Sequence, residues 1–342
     1  MERKMATVRI IDAVKEIPGA DSICAYQVGG WWVVDGKDKY KEGHWVVYAE
    51  PDSFIPTEIA PFLTKEGHHP KTYNDVEGER LRTIKLRGQI SQGLLLPLTV
   101  LFSKMNAQEA LQIKEGRDVS ELLNITKWEP PQESRAANAK GSFPHFIPKT
   151  DQERIQNLSK QLEKWNLQEE LWQVTEKVDG SSMTVFYKDG EVGVCSRNLE
   201  LKDDGSTTFW EVAKSQGLID FLKENAMNIA LQGELIGGKI QGNTYKRDKF
   251  EFYLYDIFDI DKQEYLEPST VERIAQEFNI QHVPVLEIFK TENTTIEQLL
   301  QYAEGKSQIG VKPEREGLVF KNLDGKESFK VISNKWLLKT GG

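Results

Sequence analysis

Cysteine is almost missing from this chain of 342 residues, with Cys24 and Cys195 the only two. Two are too few for a disulfide framework, and they show no paired metal spacing, so the sequence reads as the product of a reducing compartment. Histidine is sparse as well, and the His68-His69 pair has no spaced partners nearby to complete a metal site. No stretch approaches the length and apolarity of a membrane span. Met1 to Asp12 carries charges throughout rather than the apolar run of a signal peptide. The expected location is the cytoplasm. A basic excess is absent too: 44 Lys and Arg against 53 Asp and Glu leave a formal charge of −9. That excludes indiscriminate attachment to nucleic acid but leaves room for a local basic groove. No internal repeat or low-complexity tract is evident.

What is present is the composition of a globular protein, 39% hydrophobic and 28% charged, at a length that suggests two domains. From Ala6 to Leu98 short apolar runs alternate with turn residues. Thr7-Val8-Arg9-Ile10-Ile11, Trp31-Trp32-Val33-Val34, His44-Trp45-Val46-Val47-Tyr48 and Gln92-Gly93-Leu94-Leu95-Leu96 predict a small antiparallel barrel. Within it, Arg80 to Gly93 is rich in cations. Arg80 and Arg82 share one strand face, Lys85 and Arg87 the other, and the change of phase near Thr83-Ile84 suggests a bulge. These four cations, with Gly88 and Gly93 allowing close approach, suit a phosphate backbone; a solvated strand face accounts for the same residues.

Leu101 to Lys140 reads as a connecting segment of limited structure, with the proline, small and polar residues of Glu129 to Gly141 at its centre. Thr150 with Glu153 three residues on fits a capping box opening a helix, with Arg154 in its first turns. Beyond it, strands alternate with helical patterns, as in an α+β domain. The helices are expected around Phe209 to Asn225 and from Ser269 to Phe278.

In this half, Thr175-Glu176-Lys177-Val178-Asp179-Gly180-Ser181-Ser182 sets a lysine where two short apolar strands meet, a place suited to a rigidly held nucleophile. The chemistry imposes a condition. A free ammonium with a pKa of about 10.4 cannot attack phosphorus, and lowering it to about 7 takes about 4 to 5 kcal/mol, at about 1.4 kcal/mol per unit. Burial, a metal cation or neighbouring cations could supply this, while Asp179 acts the opposite way unless a metal occupies it. A Lys-Asp surface pair in a hairpin is the other reading of these residues.

The order of further motifs adds to this. Lys177-Val178-Asp179-Gly180, Ser196-Arg197, Gly233-Glu234, Phe252 to Ile257, Glu316-Gly317-Leu318-Val319-Phe320-Lys321 and Phe329-Lys330 resemble the ordered motifs of the covalent nucleotidyltransferases, the polynucleotide ligases and capping enzymes. Three other stretches, Ile17 to Asp21, Thr83 to Gly93 and Phe146 to Asn157, make the whole chain similar to ATP-dependent RNA ligases with an N-terminal OB-type domain. Only twelve residues follow Lys330, leaving no room for the OB module that capping enzymes and most ATP-dependent DNA ligases carry after the last motif. The resemblance implies an α+β fold. An OB-type barrel over 1–125 and a linker over 126–145 precede a nucleotidyltransferase domain of antiparallel sheets and helices over 146–342.

It also implies roles. Lys177 takes AMP from ATP as a phosphoramidate and passes it to the 5′-phosphate of an RNA or RNA-containing nicked duplex, whose 3′-hydroxyl then closes the break, a repair reaction. Glu176 and Gly180 belong with Lys177 to the nucleotide site. Tyr255 stacks on adenine, and Arg197 and Glu234 contact ribose and phosphate. Asp179, Glu234 and Glu316 hold magnesium or manganese directly or through water. Lys321 and Lys330 neutralise the α-phosphate; Arg154, with Lys149 as the weaker candidate, engages the departing pyrophosphate. One position departs from the pattern: a second lysine usually stands where this chain has Ile332, so that Lys330 suffices or Lys335 or Lys339 reaches in. The expected state is a monomer. The alternatives are an ATP-dependent DNA ligase, a GTP-dependent capping enzyme, and a non-catalytic nucleic-acid-binding protein, against which retention of the lysine and the three carboxylates speaks.

Overall fold

A computed structural model describes residues 3–129 and 135–341. The chain forms two compact units: one of residues 1–131, 156–159 and 337–342, the other of residues 132–155 and 160–336. Among the described residues no helix is long and apolar enough to cross a membrane.

The first unit is built from strands β1 (Ala6–Ile10), β2 (Ala13–Glu16), β3 (Ile23–Val28), β4 (Trp31–Gly36), β5 (Trp45–Ala49), β6 (Ser53–Pro56), β7 (Lys71–Tyr73), β8 (Val76–Arg80), β9 (Ile84–Leu86), β10 (Gln89–Ser91), β11 (Leu94–Pro97) and β12 (Thr126–Lys127). They form antiparallel sheets in the orders β1-β5-β11, β2-β3-β4 and β12-β6-β8-β7, plus the β9–β10 hairpin. Strand β5 is apolar almost throughout because both of its faces are covered. Val46 and Tyr48 enter a cluster with Tyr26, Trp31 and Leu95, whereas Val47 and Ala49 enter one with Val8, Ile55 and Leu96. Alternation along the strand divides the run between two cores.

The segment after Leu101 holds more structure than the expected connection of limited structure. Leu101, Val119, Leu123 and Ile125 are buried in the second of those clusters, and β12 pairs with β6. Its apolar residues are too widely spaced to show periodicity, and packing against β1 and β5 organises them. Of the proline-containing tract, Pro130 to Ser134 lie outside the described residues.

The second unit holds β13 (Ala139–Ser142), β14 (Glu153–Arg154), β15 (Leu171–Lys177), β16 (Ser181–Lys188), β17 (Glu191–Cys195), β18 (Leu199–Leu201), β19 (Ile229–Ile236), β20 (Glu251–Asp259), β21 (Glu264–Tyr265), β22 (Val285–Lys290), β23 (Gly317–Asn322) and β24 (Ser328–Ile332). A seven-stranded sheet runs β13-β18-β17-β16-β19-β20-β21, and a five-stranded sheet runs β14-β24-β23-β15-β22. Two helices, Thr208–Ser215 and Leu218–Asn225, occupy the stretch expected as one; Gly217, with φ +70°, breaks it. With the helix Pro268–Glu277 they cover one face of the large sheet, where Met183, Val185, Leu231 and Leu235 meet Trp210, Leu222 and Val271. The opposite face carries Ser182, Thr184, Gln232 and Glu234, in register across β16 and β19.

The helix expected from Thr150 is not formed. Residues Glu153 and Arg154 pair in parallel with Phe329 and Lys330 of β24, and the helix proper is Ser159–Gln168. Glu153 caps the N–H of its neighbour Arg154, while Thr150 receives a hydrogen bond from Tyr255. The local capping signal yields to strand pairing.

Candidate active site

Alternation in the five-stranded sheet sorts its residues by chemistry. Trp172, Phe320 and Phe329 lie on the back face: the Phe320 and Phe329 rings stack at 4.7 Å, and Trp165 stacks on Phe329 at 5.2 Å. The other face therefore receives Thr175 and Lys177 of β15, Val319 and Lys321 of β23, Lys330 and Ile332 of β24, and Arg154 of β14. Four cations are thus gathered from four strands onto one surface.

Lys177 ends β15, with its Nζ 2.7 and 2.8 Å from the two oxygens of Glu316. Glu316 immediately precedes β23, and Gly317 is the register partner of Lys177. The glycines of the motifs are explained by close backbone approach. A Cβ on Gly180 would meet Leu235 O at 2.4 Å, and one on Gly317 would meet Val331 O at 2.1 Å. Asp179 is fixed by the Tyr245 hydroxyl, which accepts its backbone N–H at 2.6 Å, and by Thr244 Oγ1, which donates to its carboxylate at 3.2 Å.

Burial disfavours the Lys177 ammonium, but Glu316, then Glu234 and Asp179 more than offset it, holding the amine above the ordinary lysine range. The same burial pushes Asp179 up to about 7 and Glu234 up to about 8, each raised further by the neighbouring carboxylates. Asp179 thus acts against a neutral amine, as expected when no metal occupies it, and Glu316 and Glu234 act with it: without nucleotide the group is an ammonium held by carboxylates. No three Asp, Glu, His or Cys side chains among the described residues stand close enough to hold a bare ion. Three mutually repelling carboxylates around one ammonium nevertheless suit a hydrated divalent cation, bound through water.

Comparison with known proteins bears on this arrangement. The RNA ligase family model matches residues 170–336, and an OB-fold domain model matches residues 5–98. A search of curated proteins finds no match. Among solved structures, the RNA ligase of Naegleria gruberi with pyrophosphate is 44% identical, with 99% of each chain covered and a TM-score of 0.90. A mutant of that ligase with ATP and manganese is 43% identical over 98% of this chain and 99% of that one, TM-score 0.90. Another mutant, with AMP and manganese, gives 43%, the same coverage and 0.89. This chain belongs to the RNA ligase family.

In this RNA ligase the remaining expected residues divide. Tyr255 is the extra residue of a bulge in β20, since Gln232 pairs with Asp256 and Gly233 with Leu254; the bulge turns its ring out of alternation, and its hydroxyl donates to Thr150 at 3.0 Å. Arg197 pairs with Asp151 at 2.6 Å, and Lys330 stands 3.9 Å from the same carboxylate. Arg154, 4% exposed, lies beside Lys330. Lys321 lies on the same sheet face, farther along it. Its amine is buried against Asp256 at 2.7 Å and lies 5.6 Å from the Tyr255 ring centre; it sits opposite Gln173, four residues along β15 from Lys177, or about 13 Å. Its charge is matched there by Asp256 in the nucleotide-free site.

The Glu176 side chain points to the face opposite Lys177 and accepts from the Gln308 N–H at 2.8 Å; burial pushes its carboxyl upward. Ile332 is buried in register with Gly317. Of the two lysines considered as its substitutes, Lys335 pairs with Glu314 at 3.4 Å, and Lys339 is exposed in the helix Asn334–Thr340. Lys149 bonds Asn198 at 2.9 Å. The sequence reading missed Asp151, Thr150, Asp256, Thr244 and Tyr245. Their signal was proximity to the motifs: Thr150 and Asp151 lie in a stretch already noticed for its resemblance.

Proposed function

We propose that this RNA ligase consumes ATP to seal breaks bearing a 3′-hydroxyl and a 5′-phosphate, by way of a lysyl-AMP and an RNA-adenylate. The observation that carries the reading is Lys177, half-buried beside Glu316, Glu234 and Asp179 at the edge of a cationic sheet face. In the first step Lys177 Nζ loses a proton and forms a bond to the α-phosphorus, while the α-β P–O bond breaks and pyrophosphate leaves. The RNA 5′-phosphate then takes AMP from the lysine. Finally the 3′-hydroxyl attacks that phosphate and AMP departs, forming the phosphodiester. Each displacement is in-line, so positioning and charge neutralisation carry most of the acceleration.

Lys330 is assigned to the α-phosphate, and Arg154 to the outgoing pyrophosphate. Arg197 binds ribose and phosphate, which requires it to exchange the Asp151 carboxylate for the nucleotide. Tyr255 stacks on adenine with Lys321 and Asp256 holding it. Glu176 and Gly180 act through the backbone geometry of the lysine turn. A magnesium or manganese ion, when bound near Asp179, Glu234 and Glu316, neutralises the carboxylates that keep Lys177 protonated and stabilises charge on the phosphate. The reading assigns 1–125 to the OB-type domain, 126–145 to the connection and 146–342 to catalysis, in a cytoplasmic monomer.

The test is intact mass after incubation with ATP and magnesium or manganese. Wild type gains the mass of AMP and Lys177→Ala does not; a wild-type chain without the adduct ends the proposal. A chain that gains AMP but seals nicked DNA in preference to nicked RNA would overturn the substrate assignment.

A further inference from the structure

The acidic balance of the chain is interrupted at one place. With 53 acidic residues in 342, about one in six, none occurs from Arg80 through Gln108, while Arg80, Arg82, Lys85, Arg87 and Lys104 do. Two of these are committed locally. The Arg80 guanidinium pairs with Asp52 at 2.6 Å and lies 4.1 Å from the Trp128 ring centre; Lys104 pairs with Glu58. The other three are exposed and, among the described residues, make no ion pair and no side-chain hydrogen bond.

All three lie in or beside the β9–β10 hairpin. Leu86 pairs with Gln89 and Lys85 with Ile90, leaving Arg87 and Gly88 as a two-residue loop. Both loop residues have positive φ, +49° and +86°. Such loops favour Asn or Gly at the first position, yet here an arginine is carried at the tip. Every residue of β9 is exposed, including Ile84 at 46% and Leu86 at 37%. By alternation Ile84 and Leu86 share one face of the ribbon and Lys85 the other. A flat acidic surface could meet one of these faces at a time. A double helix that sets sugar edges between two rows of phosphates offers the apolar pair a surface and the flanking cations phosphates within side-chain reach.

We propose that the β9–β10 hairpin is a contact for double-helical RNA, with Arg82, Lys85 and Arg87 on backbone phosphates and Ile84 and Leu86 against the sugars of the shallow minor groove. The proposal rests on the ligase reading and deepens it by naming the strand pair, rather than a single strand, as what this hairpin holds. The absence of acid over the whole stretch removes the repulsion that the rest of the surface offers a polyanion.

The experiment uses the full chain and a fluorescent nicked RNA duplex, with binding measured across a salt series. The triple variant Arg82→Ala/Lys85→Ala/Arg87→Ala is expected to gain AMP from ATP as wild type does. It should bind the duplex at least tenfold more weakly at moderate salt. Its slope of log affinity against log salt should be shallower by about 2 to 3, at about 0.9 for each phosphate that is no longer neutralised. Ile84→Ser/Leu86→Ser should lose affinity with the slope unchanged. Lys65→Ala/Lys71→Ala, two exposed lysines elsewhere in the same unit, should change the slope little. Unchanged duplex affinity and slope in the triple variant overturn the proposal, as does an equal loss in the control, or tighter binding of the unpaired strand. Arg82→Lys/Arg87→Lys, which keeps the charge, should retain the slope. The AMP adduct forms without RNA, so a failure of the ligase reading appears as its absence from wild type.

Discussion

At Lys177 burial and charge oppose one another, and the sign of the result determines how the site is switched on. The three carboxylates win in the nucleotide-free site and keep the amine protonated. Asp179 and Glu234, raised to about 7 and about 8, are then partly protonated near neutrality. A divalent cation held near these carboxylates, as proposed, would compete with those protons. The metal concentration giving half-maximal AMP adduct should therefore fall about tenfold or more from pH 6 to pH 8.5, and Glu234→Gln should flatten the upper part of that dependence. A metal requirement independent of pH over this range would contradict the account. At this scale the sequence was informative for Lys177, Glu234 and Glu316, because each stands in a motif with a glycine whose backbone a neighbouring strand approaches. Asp151 was not legible: its role comes from folding 148–151 against the large sheet, where Gln232 holds Pro148 O at 2.9 Å. Nothing local distinguishes it from a surface aspartate.

Among the elements, β15, β23 and β24 do most to shape the site, since one face buries aromatics and the other displays cations. The sequence showed them plainly, as apolar runs alternating with lysine. The same periodic reading failed at Thr150, where Thr-x-x-Glu satisfies a capping pattern but the backbone of Glu153 and Arg154 finds partners in β24. Tertiary pairing moved Arg154 from an expected helix start to a place beside Lys330. Gly317 tests the element directly. Gly317→Ala should cost about 1 to 3 kcal/mol by overpacking, read as a lower denaturant midpoint at constant slope. It should also lower the AMP adduct yield by displacing Glu316. A variant of wild-type stability would show that β24 yields where the register says it cannot.

On the scale of the whole molecule, the units are not contiguous in sequence. Residues 156–159 belong to the first unit although they follow the connection. Asn157 accepts from Trp31 Nε1 at 2.7 Å and donates to Glu50. Asn157→Ala removes a partner from two buried groups and should destabilise that unit by about 1 to 3 kcal/mol, and a fragment ending at Pro131 should melt below the same unit in the full chain. Equal melting would show that the segment adds nothing.

By itself the sequence determined what short-range chemistry determines: which runs become strands, and which lysine lies between an apolar strand and a tight turn. Periodicity and sterics act over a few residues, so they survive in one dimension. The tertiary structure alone decided which charges are matched. Lys321 was expected on phosphate, and Arg80 either on phosphate or on a solvated strand face; they pair with Asp256 and Asp52, whereas Arg82, Lys85 and Arg87 are left to solvent. Coulombic pairing depends on distance in space, and residues as far apart in the chain as Asp256 and Lys321 acquire that distance only when the sheets meet.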